Sequence, residues 1–141
     1  MIEFQVIGEP HAKERARAVR RGNFISHYTP EKTVAYEKKV AQIAQIAMQS
    51  LRLEPSDKPI ELSIFAVRSV PESWAKKKRA LALSGEMLPT SKPDLDNIVK
   101  SIKDGCNGIA WKDDSQVVML QAAKSYGERP HVRVLIKLFK A

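Results

Sequence analysis

Two stretches hold the residue types that can do chemistry together: Asp94-Leu95-Asp96-Asn97-Ile98-Val99-Lys100, and further on Trp111-Lys112-Asp113-Asp114-Ser115-Gln116. Carboxylates two apart cannot share a face inside a helix, but they point the same way where the backbone is extended. Pro93 disfavours helical geometry at Lys92 and places a helix start just downstream. There, free backbone N–H groups and the positive end of the helix dipole favour negative charge. Magnesium takes hard oxygen ligands and keeps several waters, so two or three such acids leave room for a phosphate oxygen and an attacking water. Such an ion supplies the nucleophile and the charge neutralisation that phosphodiester hydrolysis needs. Lys100, one turn after Asp96 on the same helical face, could contact the phosphate or the leaving group.

Each of these residues also has an ordinary structural role open to it. Asp94 or Asp96 can be an N-cap, Asp96 and Lys100 a surface ion pair, and Asp113 and Asp114 turn residues before a strand. Spacing alone favours the cap. Cys106 falls on an apolar helical stripe and reads as core, and Trp74 and Trp111 read as packing residues.

The elements that must position these residues follow from periodicity. Ile2, Phe4 and Val6 alternate with polar residues as in a half-buried strand closed by Gly8 and Pro10. The basic segment from His11 to Pro30 carries Lys13, Arg15, Arg17, Arg20 and Arg21 ahead of Gly22-Asn23, and reads as a mobile loop or hairpin, a first candidate for an arm that contacts DNA. Thr29-Pro30-Glu31 has the form of an N-cap, a first-position proline and a first-turn acid. A helix then runs to about Arg52, with Tyr36, Val40, Ile43, Ala44, Ala47, Met48 and Leu51 on its apolar stripe.

Residues 60–67 read as a second strand, and Pro71 to Leu81 as a short helix ended by Gly85. That helix carries a second basic cluster, Lys76, Lys77, Lys78 and Arg79, by default a solvated face and here a candidate phosphate grip together with Lys92. Leu95, Ile98, Val99, Ile102 and Cys106 form the stripe of a third helix. Val117–Ala123 and His131–Phe139 are predicted as two final strands joined in a hairpin. The expected order is β-α-β-α-α-β-β, an α+β fold in one domain over residues 1–141.

Bulk properties narrow the partners. The 141 residues carry 24 Lys and Arg against 16 Asp and Glu, a net charge of +8, which favours a polyanion. No apolar run approaches the roughly 20 residues that span a bilayer, so no membrane role is expected. One cysteine cannot form an internal disulfide, and His11, His27 and His131 lack zinc-ligand spacing. A reducing cytoplasm fits.

The sequence resembles the RusA family of crossover-junction endodeoxyribonucleases. The resemblance is carried by Lys92-Pro93-Asp94-Leu95-Asp96-Asn97-Ile98-Val99-Lys100, Asp104, Asn107-Gly108-Ile109 and Asp113-Asp114-Ser115-Gln116-Val117-Val118. It extends to Tyr28-Thr29-Pro30 and to Pro71-Glu72-Ser73-Trp74-Ala75-Lys76-Lys77-Lys78-Arg79, which look like the versions common in Gram-positive bacteria and their phages. It implies a RusA-like homodimer that binds four-way junction DNA by shape and nicks two opposing strands with Mg²⁺. It places the metal-binding acids on Asp94, Asp96 and Asp114, with Asp113 as a further candidate ligand, and the catalytic lysine on Lys100. The arm departs from the family's KGRPR-like stretch, having Lys13-Glu14-Arg15-Ala16-Arg17. Two alternatives stand beside this reading: a basic nucleic-acid-binding module without catalysis, and a Mg²⁺-dependent nuclease acting on other branched or single-stranded DNA.

Overall fold

The computed structural model describes residues 1–141 and is a mixed α+β structure. Strand β1 (Ile2–Ile7) is followed by β2 (Arg17–Arg21), β3 (Phe24–Tyr28), helix α1 (Glu31–Ser50), strand β4 (Ile60–Ser69), helices α2 (Lys76–Leu83) and α3 (Leu95–Cys106), a single 3-10 turn (Asp114–Gln116), and strands β5 (Val117–Gly127) and β6 (His131–Leu138). The main sheet has the order β1-β6-β4-β5, and β2 and β3 form a separate two-stranded ribbon.

Period-two alternation selects the sheet's inner face. Ile2, Phe4 and Val6 of β1, Ile60, Leu62, Ile64 and Ala66 of β4, and Val132, Val134 and Ile136 of β6 are all buried. Against them pack Tyr36, Val40, Ala44 and Met48 of α1 and Ile98, Val99, Ile102 and Cys106 of α3, all in one contiguous core. Fully burying each large aliphatic side chain contributes about 1.5–3 kcal/mol. The two helices meet closely at Gly105, where an added Cβ would stand 2.6 Å from Val40 Cβ. The sheet's other face is mixed, with Phe65, Val67 and Leu135 half-buried beside the ion pairs Arg133–Glu3 (2.6 Å) and Lys137–Glu61 (2.7 Å).

Several sequence expectations need correction. β5 and β6 do not form a hairpin: β4 lies between them, parallel to β5 and antiparallel to β6. The connection at residues 128–130 arches over the end of β4, whose strictly buried inner face claims the central slot. The basic segment contributes a hairpin, so two strands precede α1 that the predicted order lacks. Its turn is Gly22-Asn23, with Gly22 at φ 60°, the positive first position that a tight hairpin turn demands.

Helix α1 is capped at Pro30, not Thr29, and begins at Glu31 without a side-chain cap. Leu51, expected on its stripe, is 53% exposed because the helix has ended. Helix α2 begins at Lys76, not Pro71; residues 71–74 form a turn in which Trp74 N–H donates to the Pro71 carbonyl.

Candidate active site and nucleic-acid interface

Helix α3 is the backbone of the site. Asp94 occupies its N-cap position with extended backbone, φ −68° and ψ 139°, yet its side chain makes no cap hydrogen bond. Asp96 lies in the first turn of the helix, so the two acids do not share an extended stretch. Neither carboxylate has a hydrogen-bond or ion-pair partner, and Asp96 and Lys100 form no salt bridge. The ordinary roles of cap and surface pair are therefore not what these residues do. Asp94, Asp96 and Lys100 are all exposed.

The second acidic stretch divides in function. Asp113 caps the 3-10 turn: its carboxylate accepts from Ser115 N–H at 3.0 Å and from the Ser115 hydroxyl, while its own N–H donates to Gln116 Oε1 at 2.8 Å. The Ser115 hydroxyl and then its N–H hold the Asp113 carboxyl below the usual aspartate range. Asp114 makes no cap. Its Oδ1 accepts from Nε1 of the fully buried Trp111 at 2.8 Å, and it lines a hollow of about 500 Å³ with Lys13, Glu14, Arg15, Lys100 and Asp104.

Two loops complete the surroundings. Residues 91–93, which deliver the chain to Asp94, are held from the sheet. Arg68 Nη1 donates to Ser91 Oγ (3.1 Å) and the Lys92 carbonyl (2.8 Å), and Lys124 Nζ donates to the carbonyls of Ser91 (2.9 Å) and Pro93 (3.0 Å). The segment before β2 lies along α3. Lys13 N–H donates to the Asn97 carbonyl (2.8 Å), and Ser101 Oγ–H donates to the His11 carbonyl (2.7 Å). Lys13 and Glu14 also wall an adjoining hollow that Asp94, Lys92 and Asn97 line. Asp94 and Asp114 thus flank the same two loop residues. Asp96 lines neither hollow, and no three acids of the chain converge around one point.

The predicted phosphate contacts sort into engaged and free cations. Lys13 Nζ sits 2.5 Å from Glu37 Oε1 and 3.2 Å from Asp104 Oδ2. Burial works to lower its pKa, but the hydrogen bonds and charges of Glu37 and Asp104 outweigh this and hold it above the ordinary 10.5. Arg17 reaches Glu14 at 3.4 Å, and Arg20 Nε donates to the Gly22 carbonyl at 3.4 Å. Lys78 Nζ lies 3.9 Å from the Trp74 ring centre, and Trp74 in turn meets Tyr126 edge to face at 5.3 Å. The side chains of Arg15, Arg21, Lys76, Lys77, Arg79 and Lys92 have no partner.

Sequence reasoning missed the anchoring residues Arg68 and Lys124, the Lys13–Glu37–Asp104 cluster and the Trp111–Asp114 bond. Asp104 lies inside the resemblance motif, which gave it no role. Only Trp111, three residues before Asp114, offered a local signal.

The mixed α+β scaffold thus sets exposed acids and a free lysine beside cationic surfaces, an arrangement suited to chemistry on a polyanion. The chain matches the family Endodeoxyribonuclease RusA over residues 8–137 and belongs to it. It is 37% identical over 138 residues to the uncharacterized protein YqaN of Bacillus subtilis strain 168, covering 96% of this chain and 95% of that one. It is 30% identical over 82 residues to the crossover junction endodeoxyribonuclease rusA of Lactococcus phage r1t, covering 55% of this chain and 53% of the phage protein. No helix is long and apolar enough to cross a membrane.

Proposed function

We propose that the protein is a structure-selective endonuclease that resolves four-way DNA junctions by Mg²⁺-dependent hydrolysis, acting as a homodimer that makes paired, symmetric nicks. The observation that carries the reading is the freedom of the acids. Asp94 and Asp96 sit where a cap and an ion pair would be ordinary and make neither, and Asp114 is aimed by Trp111 while its neighbour Asp113 does the capping.

The donor set suits magnesium: all hard carboxylate oxygens, with no thiolate or imidazole among them. Magnesium commonly takes only one or two carboxylates and fills the rest of its octahedron with water and phosphate. The absence of a closed three-acid cage within the chain is compatible with that habit. One or two of Asp94, Asp96 and Asp114 would ligate the ion directly and the rest through its waters, and the ion when bound would activate water and neutralise phosphate charge. The chain's own contribution is positional. Arg68 and Lys124 fix the loop before Asp94, and Trp111 orients Asp114. Lys100, free and exposed on α3, places a positive charge beside the phosphate. Arg15, Arg21, Lys76, Lys77, Arg79 and Lys92 grip backbone phosphates, which set position without reading sequence.

A four-way junction has approximate twofold symmetry, and its resolution needs two opposed cuts, so two chains about a twofold axis supply two sites. The outer edge of β5 supports such pairing. It lacks a strand partner, runs uncharged from Val117 to Ala123, and exposes Val118, Met119 and Leu120. Edges of this kind invite another strand.

The test is incubation of purified protein with labelled four-way, forked and linear DNA, with and without Mg²⁺. Junction cutting that needs the metal is expected. Equal cutting of all three DNAs would favour a less selective nuclease, and binding without cutting a non-catalytic module. A mixed dimer of one wild-type and one Asp96→Asn chain should nick an extruded cruciform without linearising the plasmid, and full linearisation would refute paired sites.

A further inference from the structure

The β2–β3 ribbon carries side chains that the fold itself does not require. Every residue from Arg17 to Tyr28 is exposed except the half-buried Val19, and Phe24, Ile25 and Tyr28 are 77%, 68% and 47% exposed. Rings left in water on a ribbon that contributes nothing to the core have no packing role there.

The register shows how they are grouped. Arg17 pairs with Tyr28, Val19 with Ser26 and Arg21 with Phe24, whereas Ala18 pairs with His27 and Arg20 with Ile25. Cross-strand partners project from the same face, and alternate pairs share it. One face therefore presents two arginine–aromatic couples, Arg17–Tyr28 and Arg21–Phe24, about 13 Å apart at ~3.3 Å per residue. Between them lie only the smaller Val19 and Ser26. No acid occurs from Arg15 to Tyr28, and the one acid that reaches in, Glu14, meets Arg17 at a long 3.4 Å on an exposed surface.

We propose that this face binds unpaired nucleotides, Phe24 and Tyr28 stacking on bases while Arg21 and Arg17 hold the adjoining phosphates. The charge calls for a polyanion, and the rings call for one with exposed π-faces. Paired bases in a duplex offer only their edges to the grooves, their faces being covered by neighbours. A ring stacks on a base only where the strand has left the helix. Within the junction reading above, on which this inference rests, such bases border the branch point, where strands pass from one duplex to the next. The ribbon would then select branched over linear DNA.

The experiment is run in EDTA, so that cleavage plays no part. It compares wild type, Phe24→Ala/Tyr28→Ala and Phe24→Tyr/Tyr28→Phe on a single-stranded oligonucleotide, its matched duplex, and a four-way junction with 2-aminopurine beside the branch point. The alanine pair should weaken single-strand binding by roughly tenfold for each ring removed, change duplex binding less than twofold, and abolish the 2-aminopurine response, while the aromatic swap retains all three. Equal losses on single strand and duplex, an unaltered fluorescence response, or no single-strand binding by wild type would overturn the proposal. Wild type that stacks on single strands yet cuts no junction in Mg²⁺ would refute the junction reading and leave this one standing. Junction cutting with an alanine pair that binds and responds like wild type would do the reverse.

Discussion

The indole of Trp111 donates to Asp114 Oδ1 at 2.8 Å, so a fully buried core residue fixes the direction of a surface-facing carboxylate. Trp111→Phe removes the N–H and keeps most of the packing. Cutting should fall at least about tenfold, since misplacing a reacting group by an ångström is costly, while junction affinity stays within twofold. Stability should drop by about 1 kcal/mol. Unchanged turnover with the expected stability loss would show that the bond serves only the fold.

The adjacent acids Asp113 and Asp114 should separate cleanly. Asp113→Ala removes the cap of the 3-10 turn and should lower stability slightly while leaving cutting within about threefold of wild type. Asp96→Asn, like Asp94→Asn and Asp114→Asn, should abolish cutting and leave junction binding largely intact, because every phosphate-gripping cation is kept. A catalytically dead Asp113→Ala, or an Asp96→Asn protein that cuts at near wild-type rate in magnesium, would reassign the ligands.

Helix α3 and its acids were legible because a 3.6-residue stripe and an X-Pro boundary are local signals. The pairing of the last strands was not. A three-residue connection between β5 and β6 looks like a hairpin, and nothing local reveals that β4 inserts between them. The decision belongs to burial, since β4 carries Ile60, Leu62, Ile64 and Ala66 into the core and must be central. Lys13 looks like the other loop cations because Glu37 and Asp104 come much later in the chain. The rigid delivery of Asp94 likewise depends on Arg68 and Lys124, ordinary strand cations until the fold brings them to residues 91–93.

Lys13 clamps the loop to α1 and α3 through Glu37 and Asp104. Lys13→Met should destabilise the protein by about 1–2 kcal/mol, a value discounted for the partial exposure of all three partners. The sign with pH is set by a raised lysine pKa. The contribution is complete below the unfolded value of 10.5 and is lost as pH climbs through the higher folded value. Urea denaturation at pH 8 and 11 should show the gap between wild type and variant narrowing at the higher pH. A gap that widens would contradict the ion-pair assignment.

Neutralising Lys76, Lys77 and Arg79 should flatten the salt dependence of duplex binding, by about 0.9 in the slope of log affinity against log salt for each phosphate no longer neutralised. Lys78 is engaged with Trp74, so Lys78→Gln alone should change the slope by less than any of the three. An unchanged slope in the triple variant would return the cluster to a solvated helix face.

The buried thiol of Cys106 links the core to the site through pH. Burial, and then the negative charge of Asp114, push it up to about 12 from an ordinary 9.0. The folded chain therefore keeps a proton that the unfolded chain releases as pH passes 9, and the fall in stability from this group should steepen toward a limit of about 1.4 kcal/mol per pH unit. Burial likewise pushes the Tyr36 hydroxyl to about 12 from 10.0, but its share is common to wild type and Cys106→Ala, so the difference between the two isolates the cysteine. Cys106→Ala will be less stable at pH 8 because it leaves a cavity, but its stability should decline less steeply above pH 9, the difference in slope approaching one proton between about pH 10 and 11. Asp114→Asn should keep the steep decline and end it at lower pH, since one of the two causes of the shift is gone. Identical slopes for wild type and Cys106→Ala would mean that the thiol titrates as freely in the fold as outside it, and that the charge of Asp114 does not reach this part of the core.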